Sequence, residues 1–239
     1  MTAGSSLRLL SWNVRDLHGD RSAVQRVIRS AGADLVCLQE APRWPGSRWR
    51  LAALARECGL LFVTGGREAA GAALLCSLRA RVDDARSLRL PVRTGLRPVL
   101  PPRPRGAVLA RAWLPGGPPF ALACVHLGLQ QAQRLDHARR LHRLLAGTGL
   151  PVVVAGDLNE PPGGPAWRLL GSLAADPWPA AGPTFPSGRP DRRIDAILVG
   201  DGVRACAPDG WRPDPDDVRA ASDHLPVLAE LGGSAAAGT

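Results

Sequence analysis

The 239-residue sequence contains no lysine and no tyrosine, has only five cysteines, and lacks any hydrophobic run long enough to cross a bilayer. The cysteine count is odd and no CxxC pair occurs, which argues against a disulfide framework and a zinc site. Cys37, Cys76 and Cys124 lie inside apolar segments, where a thiol behaves as a small buried hydrophobe. This cysteine usage favours a reducing compartment.

The amino terminus also lacks the features of a secretory signal. Residues 1–6 are polar, and the segment LRLLSWNV that follows has the pattern of a strand, without a cleavage site. We therefore expect a cytoplasmic protein with no stable membrane insertion. Nothing in the sequence indicates a protein partner.

The positive charge of the chain comes entirely from arginine. Its 30 basic residues give a formal net charge of +9, and the sequence pI is about 11.1. A basic surface suits a phosphate-rich partner such as DNA or RNA. The absence of lysine, together with abundant Ala, Gly, Pro and Leu, is equally consistent with compositional drift. The charge thus supports an anionic substrate without naming it.

Hydrophobic periodicity predicts interleaved strands and helices in one domain. Helices are predicted at 21–31, 48–58 and 130–146, and strands at 7–14, 34–39, 60–64, 71–78, 107–114, 119–127, 151–157, 193–200 and 224–231. Residues 83–106, rich in Arg and Pro, are interpreted as a surface loop. The predicted organisation is a flexible segment at 1–6, one domain over 7–231 and a disordered tail at 232–239.

Chemically capable side chains recur where the predicted strands begin or end. They are Asn13, Glu40, His126, Asp157, Asn159, Asp195, Asp223 and His224. Singly, each has an ordinary explanation, since an Asp after a strand is usually a turn former or a helix cap. Their recurrence at most of the strand ends favours one shared metal and phosphate site, because strand ends at one sheet edge lie close in space.

Six motifs in order carry a resemblance to a known group. They are SWNV, LQE, VHL, GDLNEPP, TFP with RRIDAILV, and SDHLPV. From Leu7 to about Leu231 the chain resembles the endonuclease/exonuclease/phosphatase (DNase I-like) superfamily. The resemblance implies an α/β fold, a four-layer sandwich of two packed mixed β-sheets flanked by helices. It also implies hydrolysis of a phosphoester by activated water, with Mg²⁺ or Mn²⁺ as cofactor.

The resemblance further implies a role for each residue. It implies that Asn13, Glu40 and Asp223 bind the metal, with Glu40 as the principal ligand. To catalysis it assigns His126, Asp157, Asn159, Asp195 and His224, of which Asn159 and His126 also bind substrate. In this scheme Asp157 orients or deprotonates the attacking water, and His224, oriented by Asp195, contacts the scissile phosphate. Whether Asp157 or His224 is the base, and whether one metal binds or two, stays open.

Some positions depart from the group's pattern. Many members carry Asn where this chain has Ala72, so one phosphate donor is either missing or supplied from elsewhere. Glu68 is considered as a residue that orients His126. The absence of tyrosine and the Leu225 after SDH argue against the abasic-site endonucleases, and the acidic, then Gly/Pro-rich GDLNEPPGGP argues against the inositol phosphatases.

Three functions remain as alternatives. A nuclease is favoured by the net charge and by the Arg-rich segment 79–111. A phosphodiesterase or phosphatase for a lipid headgroup or another small phosphoester, similar to the sphingomyelinases, is favoured by VHL and by the lack of a separate nucleic-acid motif. An inactive nucleic-acid-binding module on the same fold is disfavoured, because the carboxylates are all present. Most of the seven tryptophans are predicted to serve packing, with Trp12 in the core.

Overall fold

The computed structural model describes residues 6–92, 104–113, 116–208 and 210–233. The strands are β1 (Leu7–Asn13), β2 (Leu35–Gln39), β3 (Leu61–Gly65), β4 (Ala73–Cys76), β5 (Arg81–Arg89), β6 (Gly106–Trp113), β7 (Pro119–His126), β8 (Val152–Asp157), β9 (Asp195–Val199), β10 (Val203–Cys206) and β11 (Val227–Gly233). The helices are α1 (Arg21–Ala31), α2 (Ser47–Glu57), α3 (Gln131–Ala146), α4 (Pro165–Gly171) and α5 (Pro215–Ala221).

The strands form two mixed sheets that pack face to face. One has the order β10-β11-β1-β2-β4-β3 and the other β5-β6-β7-β8-β9. Apolar side chains from both inner faces, such as Leu9, Leu74 and Leu122, form a common core. Helices α1, α2 and α5 cover the first sheet, and α3 and α4 cover the second. The predicted α/β sandwich of two sheets flanked by helices is thus confirmed.

Local sequence explains where the best-defined helix begins and ends. The Asp20 carboxylate accepts a hydrogen bond from the backbone N–H of Ser22 and caps α1. Val24, Val27 and Ile28 form its buried face, as their spacing predicts. Gly32 then ends the helix in the left-handed conformation, with φ of 54°.

The interpretation of residues 83–106 as a loop is wrong at both ends. Strand β5 runs to Arg89 and pairs antiparallel with β6, which begins at Gly106. The register of this pair shifts between Asp83 and Arg86. As an edge strand β5 has a solvent face that tolerates charge, so its sequence shows no clean hydrophobic alternation. Residues 93–103 of the predicted loop lie outside the described residues.

Strand pairing brings the ends of separate strands together at one end of the sandwich. Asn13 is the register partner of Gln39 in the parallel pair β1–β2, so Glu40 follows directly beside Asn13. In the other sheet, His126 pairs with Asp157 across β7–β8, and Asp157 pairs with Asp195 across β8–β9. Three predicted site residues therefore lie side by side on adjacent strands.

The predicted carboxyl-terminal boundary of the domain can be compared with the last strand, β11. Strand β11 continues through Gly233, two residues beyond Leu231, and Gly232 and Gly233 pair with β10. The rest of the predicted tail, and residues 1–5, lie outside the described residues. In the described parts of the chain, none of the helices combines the length and the apolar composition that a membrane crossing requires.

Candidate active site

Asp157, at the end of β8, is the centre of a buried polar network that joins the two sheets. Its side chain is 2% exposed. The Asn13 side-chain amide of the opposite sheet donates to Asp157 Oδ2 at 3.1 Å, and the backbone N–H of Asn159 donates to Oδ1 at 2.8 Å. His126 Nε2 lies 3.3 Å from Asp157 Oδ2, and His224 Nε2 lies 3.9 Å from the same atom.

His224 and Asp195 form a hydrogen-bonded pair beside Asp157. His224 Nδ1 lies 2.9 Å from Asp195 Oδ2 and 3.2 Å from Oδ1. The Thr184 hydroxyl donates to Asp195 Oδ2 at 2.7 Å, and it accepts the backbone N–H groups of Ile194 and Asp195. Because the carboxylate holds the proton on Nδ1, the orientation of the ring is fixed and Nε2 points toward Asp157.

This environment sets the protonation of the pair. Burial by itself lowers the pKa of His224, but the hydrogen bond and charge of Asp195, followed by the charges of Asp157 and Asp223, raise it to about 9. Burial raises the pKa of Asp195 to about 6, against the lowering effect of its hydrogen bond with His224. At neutral pH the pair is therefore an imidazolium beside a carboxylate, and the imidazolium can donate to a nearby anion.

Asp157 and His126 are shifted in ways that keep Asp157 anionic. Burial by itself raises the pKa of Asp157. The charge and hydrogen bond of His126 act in the opposite direction, as does the charge of His224, and together they lower this pKa to about 2. Burial, and next the charge of Arg105, lower the pKa of His126. The site therefore offers a carboxylate that stays ionised and a second imidazole that gives up its proton readily.

Backbone contacts fix the loop that carries His224. The indole N–H of Trp12 donates to the carbonyl oxygen of His224 at 2.9 Å. Ser222 Oγ donates to the carbonyl oxygen of Asn13 at 2.5 Å and accepts the backbone N–H of His224. Trp12 is fully buried, which confirms its predicted core position, and it also couples β1 to the site.

Glu40 lies at the same end of the sandwich, next to a buried arginine that the sequence analysis did not identify. Glu40 adopts a left-handed backbone conformation, with φ of 46°, and its side chain is 18% exposed. Arg105 Nη1 lies 3.7 Å from Glu40 Oε1, and the Arg105 side chain is 5% exposed. The charge of Arg105 lowers the pKa of His126, and the charge of Glu40 raises it. Arg105 sits in a run of prolines and arginines, where no motif distinguishes it from its neighbours.

The remaining predicted residues have more modest contacts. The Asn159 side chain, in a left-handed residue with φ of 50°, donates to the carbonyl of Leu127 at 3.0 Å. Asp223 is half-buried, and its charge acts on His224. The idea that Glu68 orients His126 is wrong, because Glu68 is exposed and pairs with Arg48 at 3.3 Å. The carboxylate beside His126 is instead that of Asp157.

The donor chemistry of the site fits a hard divalent cation. Among the described residues, Asp157, Asp195 and His224 bring possible ligand atoms within 4.8 Å of one another. The Asp195 oxygens are engaged by His224 and Thr184, however, and neither Glu40 nor Asp223 belongs to that group. Glu40 and Asp223 add partly exposed carboxylate oxygens at the rim, the ligand type that Mg²⁺ prefers.

We expect the His224–Asp195 pair to make stability depend on pH. The folded-state pKa of His224, about 9, lies above its ordinary value of 6.5, so protonation stabilises the fold. That contribution is complete below pH 6.5 and is lost as the pH rises through about 9. The difference in free energy of unfolding between the wild type and His224→Asn, measured in urea, should therefore shrink between about pH 6 and pH 10.

The Asp195→Asn background provides the control for that measurement. Without the Asp195 carboxylate, His224 loses the partner that most raises its pKa, and the pH dependence of the difference should become weaker. A difference that stays constant across the range in the wild-type background would show that Asp195 does not hold a proton on His224.

A protein-family model and several solved structures are similar to this chain. The model of the endonuclease/exonuclease/phosphatase family matches residues 10–224. An endonuclease/exonuclease/phosphatase from Bacteroides vulgatus is 20% identical with a TM-score of 0.76, covering 96% of this chain and 100% of the other. The human Nocturnin catalytic domain is 18% identical with a TM-score of 0.70, covering 96% and 95%.

A third solved structure extends the range of similar proteins. The mannosyl-6-phosphatase of Bacteroides thetaiotaomicron is 20% identical with a TM-score of 0.71, covering 95% of this chain and 99% of the other. Among the curated proteins, none gives a significant match to the sequence. At these identities the structural similarity shows a shared fold.

Proposed function

This chain belongs to the endonuclease/exonuclease/phosphatase family of metal-dependent phosphoester hydrolases, and we propose that it is a phosphodiesterase of nuclease type. One observation carries the proposal: the buried network in which Asp157 contacts Asn13 from one sheet and His126 from the other, with His224 close by. An anionic carboxylate next to an imidazolium can orient an attacking water and donate a hydrogen bond to a developing oxyanion, two roles that assist hydrolysis of a phosphoester.

In this proposal Glu40 is the principal metal ligand, with Asn13 and Asp223 beside it. When bound, Mg²⁺ or Mn²⁺ would neutralise negative charge on the phosphate. Asn13 Oδ1 accepts the backbone N–H of Arg15 at 3.1 Å, so its side chain is already held in place beside Glu40. The choice between the two ions, and between one metal and two, rests on binding measurements.

The pKa values support separate roles for Asp157 and His224. A carboxylate with a pKa of about 2 is a weak base, so Asp157 suits the orientation of the attacking water by accepting its hydrogen bond. An imidazolium with a pKa of about 9 keeps its proton at neutral pH. His224 therefore suits donation of a hydrogen bond, and then of a proton, to the leaving alkoxide. Asp195 positions the ring.

The proposal of a nucleic acid as substrate is supported by two exposed aromatic side chains in the segment that follows Glu40 in the chain. Trp44 and Trp49 are 66% and 84% exposed, whereas Trp12 and Trp167 are buried. Trp44 follows Glu40 by four residues, in the loop that leads into α2. Exposed aromatic rings can stack on bases, and arginines can contact the phosphates between them. The other five tryptophans are buried or partly buried, in agreement with the prediction that most of them serve packing.

A small phosphoester or a lipid headgroup is the second candidate, and a specific side chain favours it. Leu129 is 68% exposed and follows His126 by three residues, so it offers an apolar contact outside the site. The chain shares its fold with a mannosyl-6-phosphatase, which supports a small phosphoester as the alternative substrate. An inactive binding module is disfavoured, because the Asp157 and Asp195 carboxylates accept hydrogen bonds at the site and His224 is paired with Asp195. A cytoplasmic location stays a prediction.

A substrate panel separates these candidates. We expect the protein, in Mg²⁺ or Mn²⁺, to hydrolyse bis-p-nitrophenyl phosphate and to cleave plasmid DNA or RNA, with a nucleic-acid rate that falls steeply as salt rises. The panel adds sphingomyelin and a sugar phosphate, and chelation of the metal is the control in every arm. Turnover of sphingomyelin or of the sugar phosphate alone would reject the nuclease, and no turnover of any phosphoester would reject the proposed function.

A further inference from the structure

We infer that Asp16 and Arg43 are positioning residues of the metal site, and that their ion pair holds the Glu40 backbone in the conformation that presents its carboxylate to the cation. The inference rests on the proposed function and deepens it, because it names the residues that keep the principal metal ligand in place. Neither Asp16 nor Arg43 belongs to the six motifs of the sequence.

Four residues with a disfavoured backbone conformation meet beside Asn13. Arg15, Asp16 and Leu17 follow β1 and have φ of 48°, 56° and 55°. Glu40 follows β2 and has φ of 46°. Residues with a Cβ atom rarely adopt this left-handed region, and such strain persists only where the surroundings enforce it. The contacts that enforce it here therefore also fix the direction of the Glu40 side chain.

A backbone hydrogen bond joins the turn after β1 to Glu40. The backbone N–H of Asp16 donates to the carbonyl oxygen of Glu40 at 2.6 Å. The next peptide is held from another direction, since the backbone N–H of Ala41 donates to the carbonyl oxygen of Gly71 at 2.8 Å. Asp16 is thus the contact through which the turn acts on Glu40.

The Asp16 side chain is held in turn by Arg43. Arg43 Nη2 donates to Asp16 Oδ2 at 2.9 Å, the distance of a direct charge-assisted hydrogen bond. The Arg43 and Asp16 side chains are only 17% and 10% exposed, so solvent and salt screen the pair little. Arg43 belongs to the segment that follows Glu40 in the chain. The ion pair therefore closes a ring of contacts that runs from Glu40 through Asp16 and back to the Glu40 segment.

The opposite charges of the two partners separate positioning from simple attraction of the cation. If the charges act on the metal only through space, Asp16→Asn should weaken Mn²⁺ binding and Arg43→Met should strengthen it. If the pair positions Glu40, both variants should weaken it by about 10- to 100-fold, the usual effect of an outer partner of a metal ligand. Asn tolerates the left-handed region, so Asp16→Asn adds little backbone strain. Calorimetric titration with Mn²⁺ measures the affinities.

A double variant and a second ion pair complete the experiment. Asp16→Asn/Arg43→Met leaves the net charge unchanged, yet we expect it to bind Mn²⁺ about as weakly as the weaker single variant, because both changes break one contact. Arg43→Lys keeps the charge and should recover part of the affinity. The controls are Asp83→Asn and Arg111→Met, whose ion pair at 2.7 Å lies toward the end of β6 remote from His126. Both should keep wild-type affinity.

The outcomes separate this inference from the proposed function. Unchanged or tighter Mn²⁺ binding in Arg43→Met would overturn the inference, as would wild-type binding in the double variant. If Arg43→Met does not fold, because the Asp16 carboxylate stays buried without its partner, the double variant decides. Wild-type Mn²⁺ affinity in Glu40→Ala would also overturn it, since Glu40 would then not be the ligand. A wild type that hydrolyses no phosphoester, but loses Mn²⁺ affinity in both single variants, would reject only the proposed function.

Discussion

His224→Ala is expected to lower kcat for phosphodiester hydrolysis by about 10²- to 10⁴-fold, the usual contribution of a positioned acid or base. The reason is the proton that Asp195 and Asp157 keep on this ring, whose pKa is raised to about 9. Without the imidazole, the leaving alkoxide must depart without a hydrogen bond. Steady-state kinetics on a dinucleotide in Mn²⁺ measure the loss, and the control is His142→Ala on α3, whose ring contacts the Ser172 hydroxyl at 3.2 Å instead of a site residue.

The leaving group tests whether the loss concerns proton donation. A p-nitrophenolate leaves readily without a proton, whereas a ribose or deoxyribose alkoxide does not. The His224→Ala defect should therefore be smaller on bis-p-nitrophenyl phosphate than on the dinucleotide. Equal defects on both substrates would assign His224 to charge stabilisation, and unchanged turnover on both would remove it from the site.

The regular part of the fold was predictable from the sequence because each element shows its own pattern. Helix α1 begins and ends where its cap, its apolar spacing and Gly32 predict. The central strand β8 was equally clear, since both of its faces are buried and its sequence is a short apolar run. Elements at the margin were missed for the opposite reason: β5 is an edge strand rich in charge, and α4 and α5 span only seven residues each.

The location of the site was predictable in the same sense. Polar residues at the ends of apolar strands have to meet when those strands share a sheet edge, and His126, Asp157 and Asp195 do so by direct register. Contacts that depend on loops could not be predicted. Thr184 reaches Asp195 from outside the regular strands, and the sequence spacing does not specify which hydroxyl does so.

The division of roles between the two central groups is also a property of the folded state. Nothing in the motif around Asp157 indicates a pKa of about 2, because that value depends on His126 and His224, which lie elsewhere in the chain. The opposite shift of His224 depends on Asp195 in the same way. The sequence does not distinguish Asp157 from His224 as the base, and their three-dimensional surroundings favour an orienting carboxylate and a proton donor.

Glu40→Ala is expected to abolish metal-dependent turnover, with a fall in Mn²⁺ affinity of at least about 10²-fold, since even outer partners of a metal site contribute 10- to 100-fold. The fold should survive, because the Glu40 side chain lies at the rim and is 18% exposed. Calorimetric titration with Mn²⁺ and the dependence of turnover on Mn²⁺ concentration measure the two effects. Glu68→Ala, which makes the same substitution at an exposed carboxylate, is the matched control.

The same Glu40→Ala variant distinguishes a metal ligand from a general source of negative charge. Removing the carboxylate takes away a negative charge that lies 3.7 Å from Arg105 and would repel a phosphate. Phosphate binding without metal should therefore become tighter or stay unchanged, even as Mn²⁺ binding is lost. If Glu40 served only to hold Arg105 in place, phosphate affinity would fall and Mn²⁺ affinity would persist. That result would move the metal away from the end of β2 and toward the cluster of Asp157, Asp195 and His224.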